Sequence, residues 1–309
     1  MALGFVGLAL ALNFTLVMTG ITIYGFGTGL MASSMNSYMA KHFTAGHNNL
    51  MHCFWGGGAM ISPIIMGQIM NVHSWRMGYY VIVGILIVVA VILLLSRYAK
   101  LWIDDSETTQ AETVKSKTKK RYLTKRWHQV VEVCTFFFLG GTDYTLVFFT
   151  GAALIARGEQ TIETIAWFSV VYYAGMVAGR LVFGFAARWL KEVPIIRAGA
   201  AIAVIGLAWI YFTSSLPGMA LIGFGLGPLL PTLVSDTSNR FTPRVVSKIV
   251  GLELAAFGAG IAVLFFLTSQ IMHFVSYEAL FGLALAFIVL VFICNEILNR
   301  AVALCNSKK

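Results

Sequence analysis

The chain has 309 residues, of which 58% are apolar and only 11% charged, with a formal net charge of +9. A charged fraction so far below the rough quarter usual in soluble domains excludes an ordinary water-soluble globule. The cations fall in short loops between apolar runs, which points away from nucleic acid as a partner. Cys53, Cys134, Cys294 and Cys305 show no CxxC and no paired spacing, so they signal neither a metal site nor a disulfide framework.

The first apolar segment, residues 1–12, is short. A dozen helical residues rise only about 18 Å, against a hydrocarbon core of ~30 Å. A secretory leader fits badly, because there is no basic n-region and no small-residue cleavage site. Nine longer apolar stretches follow, at about residues 14–40, 50–70, 77–98, 128–156, 162–189, 194–213, 216–236, 247–272 and 277–301. Each is mostly uncharged over the ~20 residues that a spanning helix needs. Helices are required, because in lipid only they satisfy every backbone group without closing a barrel. The polar, basic stretch 99–127 separates residues 1–98 from residues 128–309. It reads as a cytoplasmic linker between two helical bundles.

The two bundles share a repeat. Gly25-Phe26-Gly27-Thr28-Gly29 returns as Gly223-Phe224-Gly225-Leu226-Gly227, and residues 1–44 align without a gap on 199–242. Phe14/Phe212, Gly20/Gly218, Ser37/Ser235, Phe43/Phe241 and Thr44/Thr242 are also identical. Further on, Gln68-Ile69-Met70 meets Gln270-Ile271-Met272. A long repeat made of membrane helices is the signature of a secondary transporter with two similar halves. The repeat predicts that 14–40 and 50–70 are related to 216–236 and 247–272 by a pseudo-twofold axis. Because residue 1 aligns with residue 199, the expectation is an incomplete first bundle, equivalent to helices three to six, with two to three helices wanting. That makes an inactive fragment an alternative to a working transporter.

Lys and Arg set the orientation. With the linker placed in the cytoplasm, 19 of the 22 basic residues fall on that side, and so does the C-terminus. The expected location is the cell membrane, crossed many times and surrounded by membrane lipid.

These features resemble the major facilitator superfamily, and more narrowly its fucose/glucose-permease-like branch. The residues that carry the resemblance are Gly27-Thr28-Gly29 with Asn36, the run Asn49 to Ala59 with Pro63, and Trp75-Arg76. In the second half they are Gly140-Gly141-Thr142-Asp143, Gly179-Arg180, Gly184 with Arg188, and Gly223 to Pro231. The resemblance implies an all-α fold of two pseudo-symmetric bundles, alternating access, a small solute such as a sugar, and a coupling ion, proton or sodium. The chain departs from the branch at Ala32, where sugar–proton members have a carboxylate, and at Ala187, where an Asp is usual. An efflux transporter for amphipathic compounds is the alternative substrate class.

Ionisable residues at membrane depth are the sharper signal, since charge there is costly and usually functional. Asp143 lies about 16 residues into its segment, past the midplane, with Thr142 and Tyr144 as polar neighbours. It is either a substrate or coupling residue or a structurally capped acid. Arg180 and Glu253 have matched depths, about seven to nine residues from the cytoplasmic ends, so a gating or structural ion pair between them is expected. Glu132 and Glu296 lie near segment ends, where a side chain reaches water, and carry little weight.

Asn36 suits either a sugar hydroxyl or a bridge between helices, and His52 is its polar companion in the first half. Trp55 suits stacking on a sugar or plain packing. Gly27 and Gly225 read as close-packing positions rather than a nucleotide loop, because no strand precedes them. Pro63, Pro228 and Pro231 each remove a backbone donor and soften their helices. His42, His47 and His52 are spaced by five, which does not align them on one helical face, so no metal is expected. With no nucleophile–base pair and no cofactor motif, the chain does not read as an enzyme.

Overall fold

A computed structural model describes residues 1–99, 122–158, 160 and 162–307, with side chains described for all of these except 59, 60, 62–64, 67, 70, 71 and 162–166. Most of the expected linker, 100–121, therefore lies outside the described residues. The described chain is all α-helix, with no strand. The helices are α1 (Ala2–Ala9), α2 (Phe14–His42), α3 (Ala45–Val72), α4 (Trp75–Tyr98), α5 (Arg126–Ala156), α6 (Ile162–Ala186), α7 (Glu192–Thr213), α8 (Leu216–Leu226), α9 (Leu229–Arg240), α10 (Pro243–Phe274) and α11 (Ala279–Ser307).

Eight spans among the described residues are long and apolar enough to cross a membrane, with Leu216–Arg240 counted as one. α3, at 28 residues, also has the length. The expected single helix over 216–236 is in fact two, α8 and α9, separated at Gly227-Pro228. Pro228 has no N–H to continue the ladder. Gly227 N–H still bonds the Gly223 carbonyl at 2.8 Å, and Thr232 N–H bonds the Pro228 carbonyl at 3.1 Å, so the chain turns only slightly before helix resumes.

The chain forms two compact units. One comprises Met1–Ser34 with Met60–Lys120, and the other Met35–Ala59 with Arg121–Lys309. The split departs from the linear division at 98/128: the segment 35–59, which ends α2 and begins α3, belongs with the second unit. In the first unit α1 packs on α4. Phe5 lies 4.5 Å from the Tyr24 ring, and Arg76 Nη2 donates to the Ala11 carbonyl at 2.9 Å.

In the second unit α10 and α11 pack on α5, while α8 is gripped between α6 and α7. Paired glycines permit this closeness. Gly175 and Gly179 on α6 face the carbonyls of Ala220 and Phe224, and Gly223 on α8 and Gly227 at its C-terminal cap face those of Tyr172 and Met176. Each pair is spaced by four on its own helix, so two glycine faces meet and each leaves no room for a methyl group. Between membrane helices, where lipid is as apolar as the protein, such close approach is the chief source of association. At Gly225 a Cβ would meet Ala203 N and Gly199 O, both at 2.5 Å.

Candidate functional site

Two clusters of polar residues stand out among the described residues of the second unit. The first gathers on α2, α3, α5, α6 and α8. Arg180, 5% exposed, donates from Nε to the Gly227 carbonyl at 2.9 Å and from Nη1 to the His52 carbonyl at 3.0 Å. Both acceptors are main-chain, and the Gly227 carbonyl is open because Pro231, four residues on, has no N–H to give it. The Arg180 guanidinium lies 5.5 Å from the centre of the Trp55 ring. A cation over an indole face is a favourable contact.

Trp55 stands edge-on to Tyr173 at 6.3 Å, and Tyr173 stands edge-on to Tyr172 at 5.5 Å. The fully buried Tyr172 hydroxyl donates to Asp143 Oδ1. Asp143 is also within electrostatic reach of Arg180. At the other end of the row, His52 Nε2 and Asn36 Oδ1 are 3.0 Å apart. Acid, two phenols, indole, guanidinium, imidazole and amide thus form one continuous row. A carboxylate here can accept from hydroxyl groups, the amide can bond one, and half-exposed Trp55 offers a flat apolar face.

Four of the five residues singled out as binding or coupling candidates stand in this row: Asp143, Asn36, His52 and Trp55. The fifth, Tyr144, stacks on Phe148 at 5.9 Å and lies within electrostatic reach of Tyr173. Thr142 is not Asp143's companion; its hydroxyl turns back to the Phe138 carbonyl at 2.8 Å. Tyr172 takes that place instead. Among the gating candidates, the Gly27 position would press a Cβ onto Met1 N. Pro231 contributes its carbonyl to Asn48, as described below, and the Pro63 side chain lies outside the described residues.

The expected Arg180–Glu253 pair does not form. Arg180 is held by carbonyls and Trp55, as above. Glu253, fully buried, accepts from Thr237 Oγ1 at 2.7 Å and belongs to the second cluster. Matching depth was a sound constraint, but depth leaves the direction around each helix open.

The second cluster centres on Arg240, whose side chain is 1% exposed. Its Nη1 bonds both oxygens of Glu132 at 2.9 Å. Its Nη2 reaches Asp236 Oδ2 at 2.8 Å, Asn295 Oδ1 at 2.5 Å and Asn299 Oδ1 at 3.0 Å. Glu253 is within electrostatic reach as well. Glu132, expected to reach water, is instead fully buried, and Arg240 is buried at the end of α9 rather than standing among the loop cations. The chain entering α5 covers the site: Leu123 N–H bonds the Arg240 carbonyl at 2.8 Å, and Leu123 is 2% exposed. The i,i+4 spacing of Asp236 and Arg240 was the available signal. Glu296 pairs with Arg197 on the surface, at 2.7 Å.

Asn48 and Asn49 are fully buried, and sequence reasoning assigned neither a role. Asn48 Nδ2 donates to the Pro231 carbonyl at 2.6 Å, and Asn49 Nδ2 to Thr232 Oγ1 at 3.0 Å. The start of α9 thus offers two acceptors, the Pro231 carbonyl and the Thr232 hydroxyl, that α3 fills. Among the described residues no group of three or more His, Cys, Asp or Glu could hold a metal.

The geometry can be set beside known proteins. A family model for the Major Facilitator Superfamily matches residues 1–252. The glucose/mannose transporter GlcP of Bacillus subtilis (strain 168) is 23% identical over 257 residues, covering 77% of this chain and 62% of the relative. The chain thus spans less than two thirds of that protein's length. The solved E. coli fucose:proton symporter FucP matches with a TM-score of 0.73 at 16% identity, over 96% of this chain and 81% of that one. The human organic anion transporter MFSD10 (TETRAN) matches with a TM-score of 0.69 at 14% identity, over 95% and 74%.

Proposed function

The chain belongs to the Major Facilitator Superfamily, and on that premise we propose that it carries a small polyhydroxy solute, a monosaccharide, across a membrane by alternating access. The observation that carries this reading is the row from Asn36 to Asp143, in which hydrogen-bonding groups flank an exposed indole inside otherwise apolar helices. A sugar has hydroxyls around its rim and an apolar face, and the row offers both counterparts. The names of GlcP and FucP support the same solute class.

Asp143 is the acid of the row and the natural carrier of a coupling proton, since an acid at membrane depth is costly unless it works. Arg180 orients the row, tying Trp55 and His52 to the break between α8 and α9. The Asn48 and Asn49 bonds from α3 to α9 serve as a latch that a rocking motion has to release and remake.

The test is uptake into proteoliposomes by the purified chain, against labelled glucose, mannose, fucose and an organic anion. Saturable hexose uptake is expected, with Asp143→Asn lowering the initial rate about tenfold or more and Glu296→Gln changing it less than about twofold. An inward proton gradient should drive accumulation in the parent chain but not in Asp143→Asn. Uptake of the anion alone, or equal rates for Asp143→Asn and the parent chain, would refute the reading.

A further inference from the structure

Away from the polar row, Arg197 of α7 and Arg300 of α11 line a groove of about 440 Å3 together with Phe292, Ile293, Glu296 and Ile297. The α11 members recur at three- and four-residue intervals, so they form a single stripe along that helix. The stripe is graded. Phe292, Ile293 and Ile297 lie toward the middle of the span and are all well exposed, while Arg300 lies toward its end. Arg300 is seven residues before the last residue of α11, and Arg197 five residues after the first of α7. At ~1.5 Å per residue both guanidinium stems start about 8–10 Å inside the helix ends, where long cationic side chains reach out to the headgroup layer.

The charges in the groove are unequally spent. Arg197 gives Nε and Nη2 to the two oxygens of Glu296, at 2.8 and 2.7 Å, and that pair is neutral. Arg300 donates no hydrogen bond to any described residue and acts on Glu296 only at a distance. Among the described residues the groove therefore has one uncompensated positive charge at its mouth and an apolar track leading inward from it.

We propose that this groove is a binding site for an anionic phospholipid. The phosphodiester lies against Arg300 with Arg197 beside it, and one acyl chain follows Ile297, Ile293 and Phe292. Apolar contact alone would accept any lipid. Selection for an anionic one comes from the charge count: a zwitterionic headgroup brings its own cation to a groove whose only carboxylate among the described residues is already doubly bonded. The site is independent of the transported solute and does not rest on the reading of the polar row.

Native mass spectrometry of the purified full chain, with phosphatidylglycerol and phosphatidylcholine at equal mole fraction, tests this. One basic side chain near an anionic lipid contributes about 1 kcal/mol, so phosphatidylglycerol should be retained about fivefold over phosphatidylcholine. Arg300→Gln should remove the preference and Arg300→Lys should keep most of it. Arg244→Gln, on a basic residue at the start of α10, should leave it unchanged. Soluble glycerol phosphate at matched concentration should fail to displace the lipid, because it lacks the chain that fills the apolar track. Equal retention of both lipids, a preference that survives Arg300→Gln, or displacement by glycerol phosphate would each overturn the proposal.

Discussion

The two copies of the glycine-rich repeat do different work. In the second copy Gly223, Gly225 and Gly227 each lie against the backbone of a neighbouring helix, and a methyl group on any of them would overlap it. In the first copy Gly25 and Gly29 have nothing among the described residues within 4 Å of where a Cβ would stand, and Gly27 alone of the three is crowded. The helices differ as well: α2 runs unbroken through its copy, whereas α8 gives way to α9 at Pro228. Further along, His42 aligns with Arg240 and Tyr38 with Asp236. The buried Asp236–Arg240 ion pair is matched by a Tyr38–His42 ring contact at 4.6 Å. A repeat transmits positions along a helix. It does not transmit what those positions touch.

The sharpest way to test that asymmetry is at its charged end. Arg240→Met should leave Glu132 and Asp236 buried without a cation and destabilise the second unit by about 3–5 kcal/mol. A large drop in detergent melting temperature would register this, and Arg240→Met combined with Glu132→Gln should recover part of it. His42→Met at the aligned position should have a far smaller effect. Similar losses at the two sites would break the comparison.

The next test concerns the glycines themselves. Gly223→Val places methyl groups against the Tyr172 carbonyl and should cost about 3 kcal/mol or more, because the obstacle is backbone and cannot repack. Gly25→Val meets no such obstacle and should change melting little. The smallest expected effect is Gly25→Ala, which exchanges a poor helix former for the best one and should raise stability by up to about 1 kcal/mol. A loss there as large as at Gly223 would mean that α2 is packed on this face after all.

Much of the architecture is legible in the chain itself. Spanning helices follow from apolar length and from the need to satisfy backbone groups in lipid. Composition placed the division at the basic linker, whereas the compact units also set 35–59 with the second half of the chain. Asp143, Asn36, His52 and Trp55 were readable as candidates because polar groups at membrane depth need a reason to be there. What the sequence left open was azimuth. Arg180 and Glu253 lie at similar depths yet turn to different partners, and a single helix carries no instruction about which neighbour its charged face will meet. The burial of Arg240 is of the same kind, because Leu123, more than a hundred positions earlier, closes over it. So is the placement of Asn48 and Asn49 on Pro231 and Thr232, where carbonyl and hydroxyl acceptors on α9 await donors from a distant helix. Hydropathy and length are local sums that a chain states by itself, whereas the pairing of buried polar groups is decided only when the helices pack and each donor must find whichever acceptor the packing brings near.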